Sequence, residues 1–209
     1  VIANPPFSLD KWGYEMAESD SYGRFHYGVP PKTKGDFAFV EHMIATLNQE
    51  GKMGVVVPHG VLFRGGAEGR IRENICKEDI IEAVIGLPSQ LFYGTGIPAA
   101  ILIINKNKPH ERRGSILFID GSQDYQEGKK QNKLRPEDIE KIVGAYQGYR
   151  DVPKYCRVVP LSEIEENDYN LNISRYVDTT PEEEPIDVSE VLRELKVLEA
   201  RRREIEAEM

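Results

Sequence analysis

The chain is short of several things that would point to particular function classes. Among its 209 residues there are two cysteines, Cys76 and Cys156. They lie far apart, with no Cys or His at ligand spacing, which excludes a disulfide framework and a zinc site and fits plain thiols in a reducing cytoplasm. No apolar run approaches the roughly 20 residues that span a bilayer, and no basic-then-apolar leader opens the sequence, so neither a membrane span nor a membrane partner is expected. Positive charge is also scarce. Lys and Arg total 27 against 35 Asp and Glu, a formal net charge of −8. Phosphate neutralisation supplies most non-specific DNA affinity, so this balance argues against a free-standing DNA binder. Two local basic clusters stand out, Lys106, Lys108, Arg112 and Arg113, then Lys129, Lys130, Lys133 and Arg135. Solvated loop charge is the expectation for both. An initiating methionine is lacking too: the chain opens Val1-Ile2-Ala3, as though cut inside a strand of a longer protein.

What is present reads as a soluble globular α/β protein, 40% apolar and 30% charged. Val1-Ile2-Ala3 ends an apolar strand and runs into Asn4-Pro5-Pro6-Phe7. A long loop follows to about Gly35, for which a mobile polar loop is expected, with ordering of Tyr14, Tyr22, Phe25 and Tyr27 against DNA as the alternative. Asp36 reads as the N-cap of a helix with Phe37, Val40, Met43, Ile44 and Leu47 at helical spacing, stopped by Gly51. Met53 to Pro58 reads as a strand buried on both faces. A helix with Ile71 and Ile75 inward comes next, then strands at Ile80–Leu87 and Ala99–Asn105. No room separates the last two for a crossover helix, so they are expected to be antiparallel. A short strand at Ser115–Asp120, a helix from Pro136 to Tyr149 with Ile139, Ile142, Val143 and Tyr146 inward, and a strand near Arg157-Val158-Val159 are expected after these. Beyond an acidic linker, Val188, Val191, Leu195, Leu198, Arg202, Ile205 and Met209 repeat in 3,4 spacing, the pattern of a coiled-coil seam that needs a partner helix.

Asn-Pro-Pro-Phe behind a strand carries the strongest chemistry. A bare Asn-Pro-Pro is a capped, stiffened turn; the strand before it and the aromatic after it set this one apart. An exocyclic amino group is a poor nucleophile because its lone pair is drawn into the ring. The amide oxygen of Asn4 and the carbonyl of Pro5 can accept its two hydrogens. Pro5 and Pro6 fix the backbone so that both acceptors point into one pocket, and Phe7 offers a face on which an extruded base stacks, an interaction of about 1–3 kcal/mol.

Val-Ile-Ala-Asn-Pro-Pro-Phe resembles the catalytic motif of amino-group methyltransferases. Three further stretches resemble the modification subunits of type I restriction-modification systems, adenine-N6 DNA methyltransferases, and in particular the C-terminal part of such subunits. They are Pro58 to Arg64 (Pro-His-Gly-Val-Leu-Phe-Arg), Val84 to Pro98, and Asp168 to Val177, so the resemblance covers most of residues 1 to 178. It implies the later strands of a Rossmann-like class I methyltransferase sheet, followed by a C-terminal coiled-coil helix. The expected division is 1–110, the later half of the catalytic domain; 111–178, its extension; 179–186, a linker; and 187–209, a helix for subunit assembly. The implied activity is methyl transfer from S-adenosyl-L-methionine to the N6 of adenine in DNA. Asn4, Pro5, Pro6 and Phe7 are the implied catalytic residues. Phe92 and Tyr93 are an implied aromatic wall of the base pocket, with an ordinary core aromatic as the alternative for Phe92. The family binds its cofactor through a glycine-rich turn after the first strand and an acidic residue after the second, both upstream of Asn4. Gly65-Gly66 and Gly94-Thr95-Gly96 occupy neither place and read as turns, so the isolated chain is expected to be inactive. DNA and a DNA-specificity subunit are the implied partners, with a restriction subunit and a second modification subunit as further candidates. Two rival readings remain open: an amino-group methyltransferase acting on protein glutamine or RNA, and a non-catalytic assembly module that docks a DNA-recognising subunit through residues 186–209.

Overall fold

The computed structural model describes residues 1–179 and, further on, Arg193, Leu195, Leu198 and Arg202. Two compact units divide at Thr179 and Thr180. The first is built on a six-stranded mixed sheet in the order β1-β2-β4-β3-β5-β6. Its strands are β1 (Ile2–Ala3), β2 (Lys52–Pro58), β3 (Ile81–Gly86), β4 (Ala99–Asn105), β5 (Ser115–Asp120) and β6 (Cys156–Pro160). Helices α1 (Asp36–Thr46) and α2 (Gly66–Lys77) connect β1 to β2 and β2 to β3; α3 (Pro136–Gly148) and α4 (Leu161–Glu166) flank β6.

The hydrophobic pattern explains this arrangement. The β1–α1–β2 segment is a crossover that sets β1 parallel to β2, with Ile2 opposite Gly54. Only the twelve residues 87–98 separate β3 from β4, too few for a crossover helix, so β4 returns antiparallel to β3 and, on its other side, to β2. The expected antiparallel pair is therefore present, wedged between two strands that are parallel to each other. β5 pairs parallel with β3, and β6 closes the sheet antiparallel to β5.

On one face, Phe37, Val40 and Ile44 of α1 and Ile71 and Ile75 of α2 meet Val55, Val57, Val84, Leu102 and Phe118 in the main core. Leu171, Ile173 and Tyr176 join the same cluster. Gly86 lets this packing close, because a Cβ at that position would stand 2.8 Å from the tip of the Ile173 side chain and force it to shift. The opposite face carries a smaller cluster in which Ile142 of α3 packs on Ala83, Ile85, Leu117 and Ile119.

Several expectations need correction. Asp36 is not an N-cap: Gly35 holds that position with no side-chain cap, and Asp36 is the first helical residue. β2 is buried on one face only, since Gly54 and Val56 on the other are half-buried. α3 lies over the β3–β5–β6 end of that second face, leaving Ile2 93% exposed at the edge strand. Of the α3 residues expected to face inward, Ile142 is buried, whereas Ile139 and Val143 are exposed. The stretch from Ser8 to Gly35 is not an unpacked polar loop. Its ends are tied by Gly35 N–H donating to Leu9 O at 2.9 Å. Trp12 forms a small aromatic core with Tyr14 and Phe25, and donates to Pro31 O at 3.0 Å. The first basic cluster is only partly solvated: Arg113 is exposed, but Lys108 and Arg112 turn their charges inward. Lys108, 3% exposed, bonds Asp79, Ile81 O and Ser115 O, and Arg112 bonds Glu82.

In the second unit, Arg193, Leu195, Leu198 and Arg202 are helical, and Leu195 and Leu198 are exposed. The other proposed seam positions, Val188, Val191, Ile205 and Met209, and the linker beyond Thr179, lie outside the described residues. No helix among the described residues is long and apolar enough to cross a membrane.

One buried acid gives a test of the core. Glu41 on α1 is 0% exposed, and neither carboxylate oxygen has a hydrogen-bond partner among the described residues. Burial pushes its carboxyl from the ordinary 4.5 up to about 9. The folded value lies above the unfolded one. Its contribution to stability is therefore complete below pH 4.5 and is lost as pH climbs toward 9. Glu41→Gln should melt at least about 4 °C higher than the parent at pH 8, with the two converging near pH 5. Parallel melting curves for the two proteins across that range would rule out a neutral buried acid.

Candidate functional site

The carboxyl ends of β1, β2, β3 and β5 and the first residue of β4 lie along one edge of the sheet, as the strand directions require. In open α/β sheets this is the edge where ligands bind. A cleft of about 500 Å³ opens there, lined by Asn4, Pro5, Pro6 and Phe7 after β1, Pro58 at the end of β2, Arg64, and Phe92, Tyr93 and Ile97 from the β3–β4 loop. All six residues singled out from sequence thus line a single cleft. Phe7 and Phe92 meet edge to face, ring centroids 5.9 Å apart at 76°. Phe92 is half-buried against that partner, whereas Tyr93 projects from the rim, 92% exposed. Asn4 is also exposed. Proline has no N–H, so the turn at Pro5 and Pro6 offers carbonyl acceptors without competing donors. An amide oxygen and carbonyls beside an aromatic corner suit a flat ligand that carries an amino group.

The turn is held by residues that the sequence did not single out. Ser8, directly after the motif, has a positive φ of 49°, a conformation that a non-glycine residue adopts only when its surroundings hold it there. The Asp36 carboxylate does so. It accepts the Ser8 backbone N–H at 2.7 Å and the Ser8 hydroxyl at 3.3 Å. Arg64 donates to the same carboxylate at 3.1 Å and to Glu68 at 3.1 Å. Asp36 and Glu68 are buried, and burial raises the Glu68 carboxyl, with Arg64 pulling it back. Gly60 leaves room for the Arg64 guanidinium, since a Cβ there would stand 2.5 Å from Nε. Arg64 is placed in turn by Arg72, whose buried guanidinium donates to Arg64 O at 2.8 Å, Val61 O at 3.1 Å and Tyr169 O at 2.7 Å. Leu171 N–H donates to Leu62 O at 2.8 Å. The stretches at 58–64 and 168–177 are thereby wired to the Asn-Pro-Pro-Phe turn.

His59 sits at the same edge, half-buried and edge-on to Phe63 with centroids 5.8 Å apart. Burial lowers its pKa, and the Asp120 carboxylate pulls the other way.

Gly65 and Gly66 open α2, beyond a short helical turn after β2, and Gly94 and Gly96 lie in the β3–β4 loop. Neither pair forms a strand–turn–helix cradle backed by an acidic residue on the next strand. Among the described residues, no group of His, Cys, Asp and Glu side chains is arranged to hold a metal ion.

Comparison with known proteins gives this geometry its context. A family model described as N-6 DNA Methylase matches residues 1–185. The methylase subunit of the type I restriction enzyme MjaVIII from Methanocaldococcus jannaschii is 45% identical over 205 residues, 95% of this chain and 35% of that protein. The corresponding HindI subunit from Haemophilus influenzae is 37% identical over 88% of this chain and 42% of its own length. The crystal structure of a type I restriction-modification methyltransferase subunit from Streptococcus thermophilus superposes with a TM-score of 0.80 at 44% identity, covering 86% of this chain and 38% of that one. The EcoKI M protein, at 20% identity and a TM-score of 0.64, shares the fold. The chain thus spans little more than a third of the length of the M. jannaschii relative. Matched along most of its length, it belongs to the N-6 DNA methylase family, with methylase subunits of type I restriction enzymes as its relatives.

Proposed function

We propose that this chain is the target-base half of an adenine-N6 DNA methyltransferase, acting as the modification subunit of a type I restriction-modification complex. The observation that carries the reading is the convergence of Asn4, Pro5, Pro6 and Phe7 with Phe92 and Tyr93 on one cleft at the carboxyl edge of the sheet. An adenine extruded into that cleft stacks in the corner made by Phe7 and Phe92, which offsets much of the few kcal/mol lost on leaving the duplex. The Asn4 amide oxygen and the Pro5 carbonyl accept the two hydrogens of its N6 amino group. That keeps the nitrogen lone pair out of the ring and aimed across the turn toward the methyl donor. Asp36, through Ser8, holds both acceptors in place before substrate arrives, so little reorganisation remains for the reaction itself. S-adenosyl-L-methionine supplies the methyl group, and its cradle belongs to the rest of the polypeptide, so the chain alone is inactive. A helix bearing Leu195 and Leu198 docks the DNA-specificity subunit. Catalysis and docking are then separate duties of one protein, and the assembly reading complements the enzymatic one. A protein or RNA substrate is disfavoured by the DNA-methylase family match.

Three variants of the full-length subunit test this reading. Asn4→Ala should lower methylation at least about 100-fold, the scale of losing one preorganised polar group at a reacting centre, while gel filtration shows unchanged assembly with its partners. Methylation that survived this change would remove the catalytic assignment. Asp36→Ala should reduce turnover on the order of 10-fold or more, because a misplaced turn loses near-attack geometry; parent-like turnover in a folded variant would show that the clamp is dispensable. Leu195→Glu with Leu198→Glu should abolish capture of the specificity subunit, and an intact complex would eliminate the helical seam.

A further inference from the structure

The second basic cluster differs from the first in where the fold puts it. Lys106, Lys108, Arg112 and Arg113 follow β4 and precede β5, at the edge of the sheet opposite the cleft. Their charges serve internal partners: Lys106 donates to Leu47 O, Lys108 to Asp79, Arg112 to Glu82 and Arg113 to Lys108 O. Lys129, Lys130 and Lys133 instead stand on a small hairpin closed by Gln126 and Lys133, whose backbones exchange hydrogen bonds of 2.8 and 3.0 Å. All three lysines are exposed, and among the described residues none is in an ion pair. Glu127 is the hairpin's one acid.

The hairpin is stitched directly to the loop that walls the cleft. Asn132, buried, donates from its backbone to Gln90 O at 2.9 Å and from its side chain to Ser89 O at 2.9 Å. Gln131 donates to Leu91 O at 2.6 Å, one residue before Phe92. These bonds hold the lysines beside the base cleft, within the span over which a duplex presents several phosphates, one charge per roughly 1.7 Å of helix axis.

We propose that the hairpin Gln126–Lys133 is a DNA-backbone contact, with Lys129, Lys130 and Lys133 on phosphates flanking the nucleotide whose base enters the Asn4–Phe92 cleft. The inference rests on the reading of that cleft as a base pocket. The hairpin gives an acidic chain a local cationic grip where the target strand must be held, and its bonds to residues 89–91 fix that grip relative to the pocket wall.

The test uses the full-length subunit in complex with its partners and a duplex carrying its methylation site. Affinity is measured over a salt series for the parent and for Lys129→Gln/Lys130→Gln/Lys133→Gln. Each phosphate contact removed should flatten the slope of log K against log salt by about 0.9, so the triple variant should lose about 2–3 from the slope. The matching Lys→Arg triple should keep the parent slope, and Arg113→Gln at the opposite edge should leave it unchanged. An unaltered slope in the glutamine triple overturns the proposal. So does an equal per-charge effect at Arg113, which would reduce the result to net charge. Asn4→Ala run in parallel separates the two claims. If it abolishes methylation while the glutamine triple keeps its slope, the hairpin contact fails and the base pocket stands. If it methylates normally while the triple loses slope, the pocket reading fails and the hairpin remains a DNA contact.

Discussion

Arg72 is the constraint on which the geometry of this edge depends. Its guanidinium is buried and its pKa is lowered by that burial, yet it spends its donors on three backbone carbonyls from two distant segments. A buried cation is tolerable only when its hydrogens are satisfied, and each unmet donor would cost about 1–3 kcal/mol. The carbonyls of Val61, Arg64 and Tyr169 therefore have to converge on one point. That fixes the path of the chain after β2 and locks residues 168–171 over it. Arg64 leaves this knot with its side chain directed at Asp36, and Asp36 holds Ser8 in a conformation it would not adopt alone. The Asn-Pro-Pro-Phe turn is thus held in place through a contact several links away.

The sheet topology supplies the other half of the arrangement. With β4 inserted between the parallel strands β2 and β3, the β3–β4 loop emerges at the carboxyl edge, two strands from β1. It reaches back far enough to set Phe92 against Phe7. Had β4 run parallel, the chain would have needed a crossover helix after β3 to return to the far edge before β4 could begin; the antiparallel return lets the whole connection stay at the carboxyl edge.

Much of this was legible in the sequence. Apolar runs bounded by Gly and Pro marked β2 to β5, and the short spacing between Gly86 and Ala99 dictated an antiparallel return. The Asn-Pro-Pro-Phe turn was legible because its chemistry is local. What escaped was non-local. Asp36 read as a cap because a carboxylate at a helix start usually is one; its partners, Ser8 and Arg64, lie 28 residues away on either side. The two basic clusters looked alike as strings, and only folding sends Lys108 and Arg112 onto acidic partners inside the fold and Lys129, Lys130 and Lys133 into solvent. The exposed faces of α3 escaped for a similar reason. Ile139 and Val143 have helical spacing, but the described core takes only the stripe centred on Ile142. Periodicity gives the direction of an apolar face without saying how much of it finds a partner.

Net charge is a poor guide to the field at a particular edge of this molecule. Of its carboxylates, Asp36, Glu41, Glu68, Glu82, Asp124 and Asp138 are buried. Most of them are answered by bases on the spot: Asp36 and Glu68 by Arg64, Glu82 by Lys52 and Arg112, Asp124 by Lys141, Asp138 by Arg135. Glu41 escapes charge by keeping its proton. These groups contribute little to the potential a ligand meets, because opposed charges a few ångströms apart cancel at a distance and salt screens the remainder within about 10 Å. What a strand of DNA would meet at the cleft is set by the side chains left unpaired within a Debye length of it. The lysines of the 126–133 hairpin are exposed and, among the described residues, unpaired, whereas Lys108 and Arg112 are bound to acceptors at the far edge of the sheet. An acidic chain can therefore hold a polyanion at one edge, provided that folding withdraws enough of its acids and leaves the right bases free.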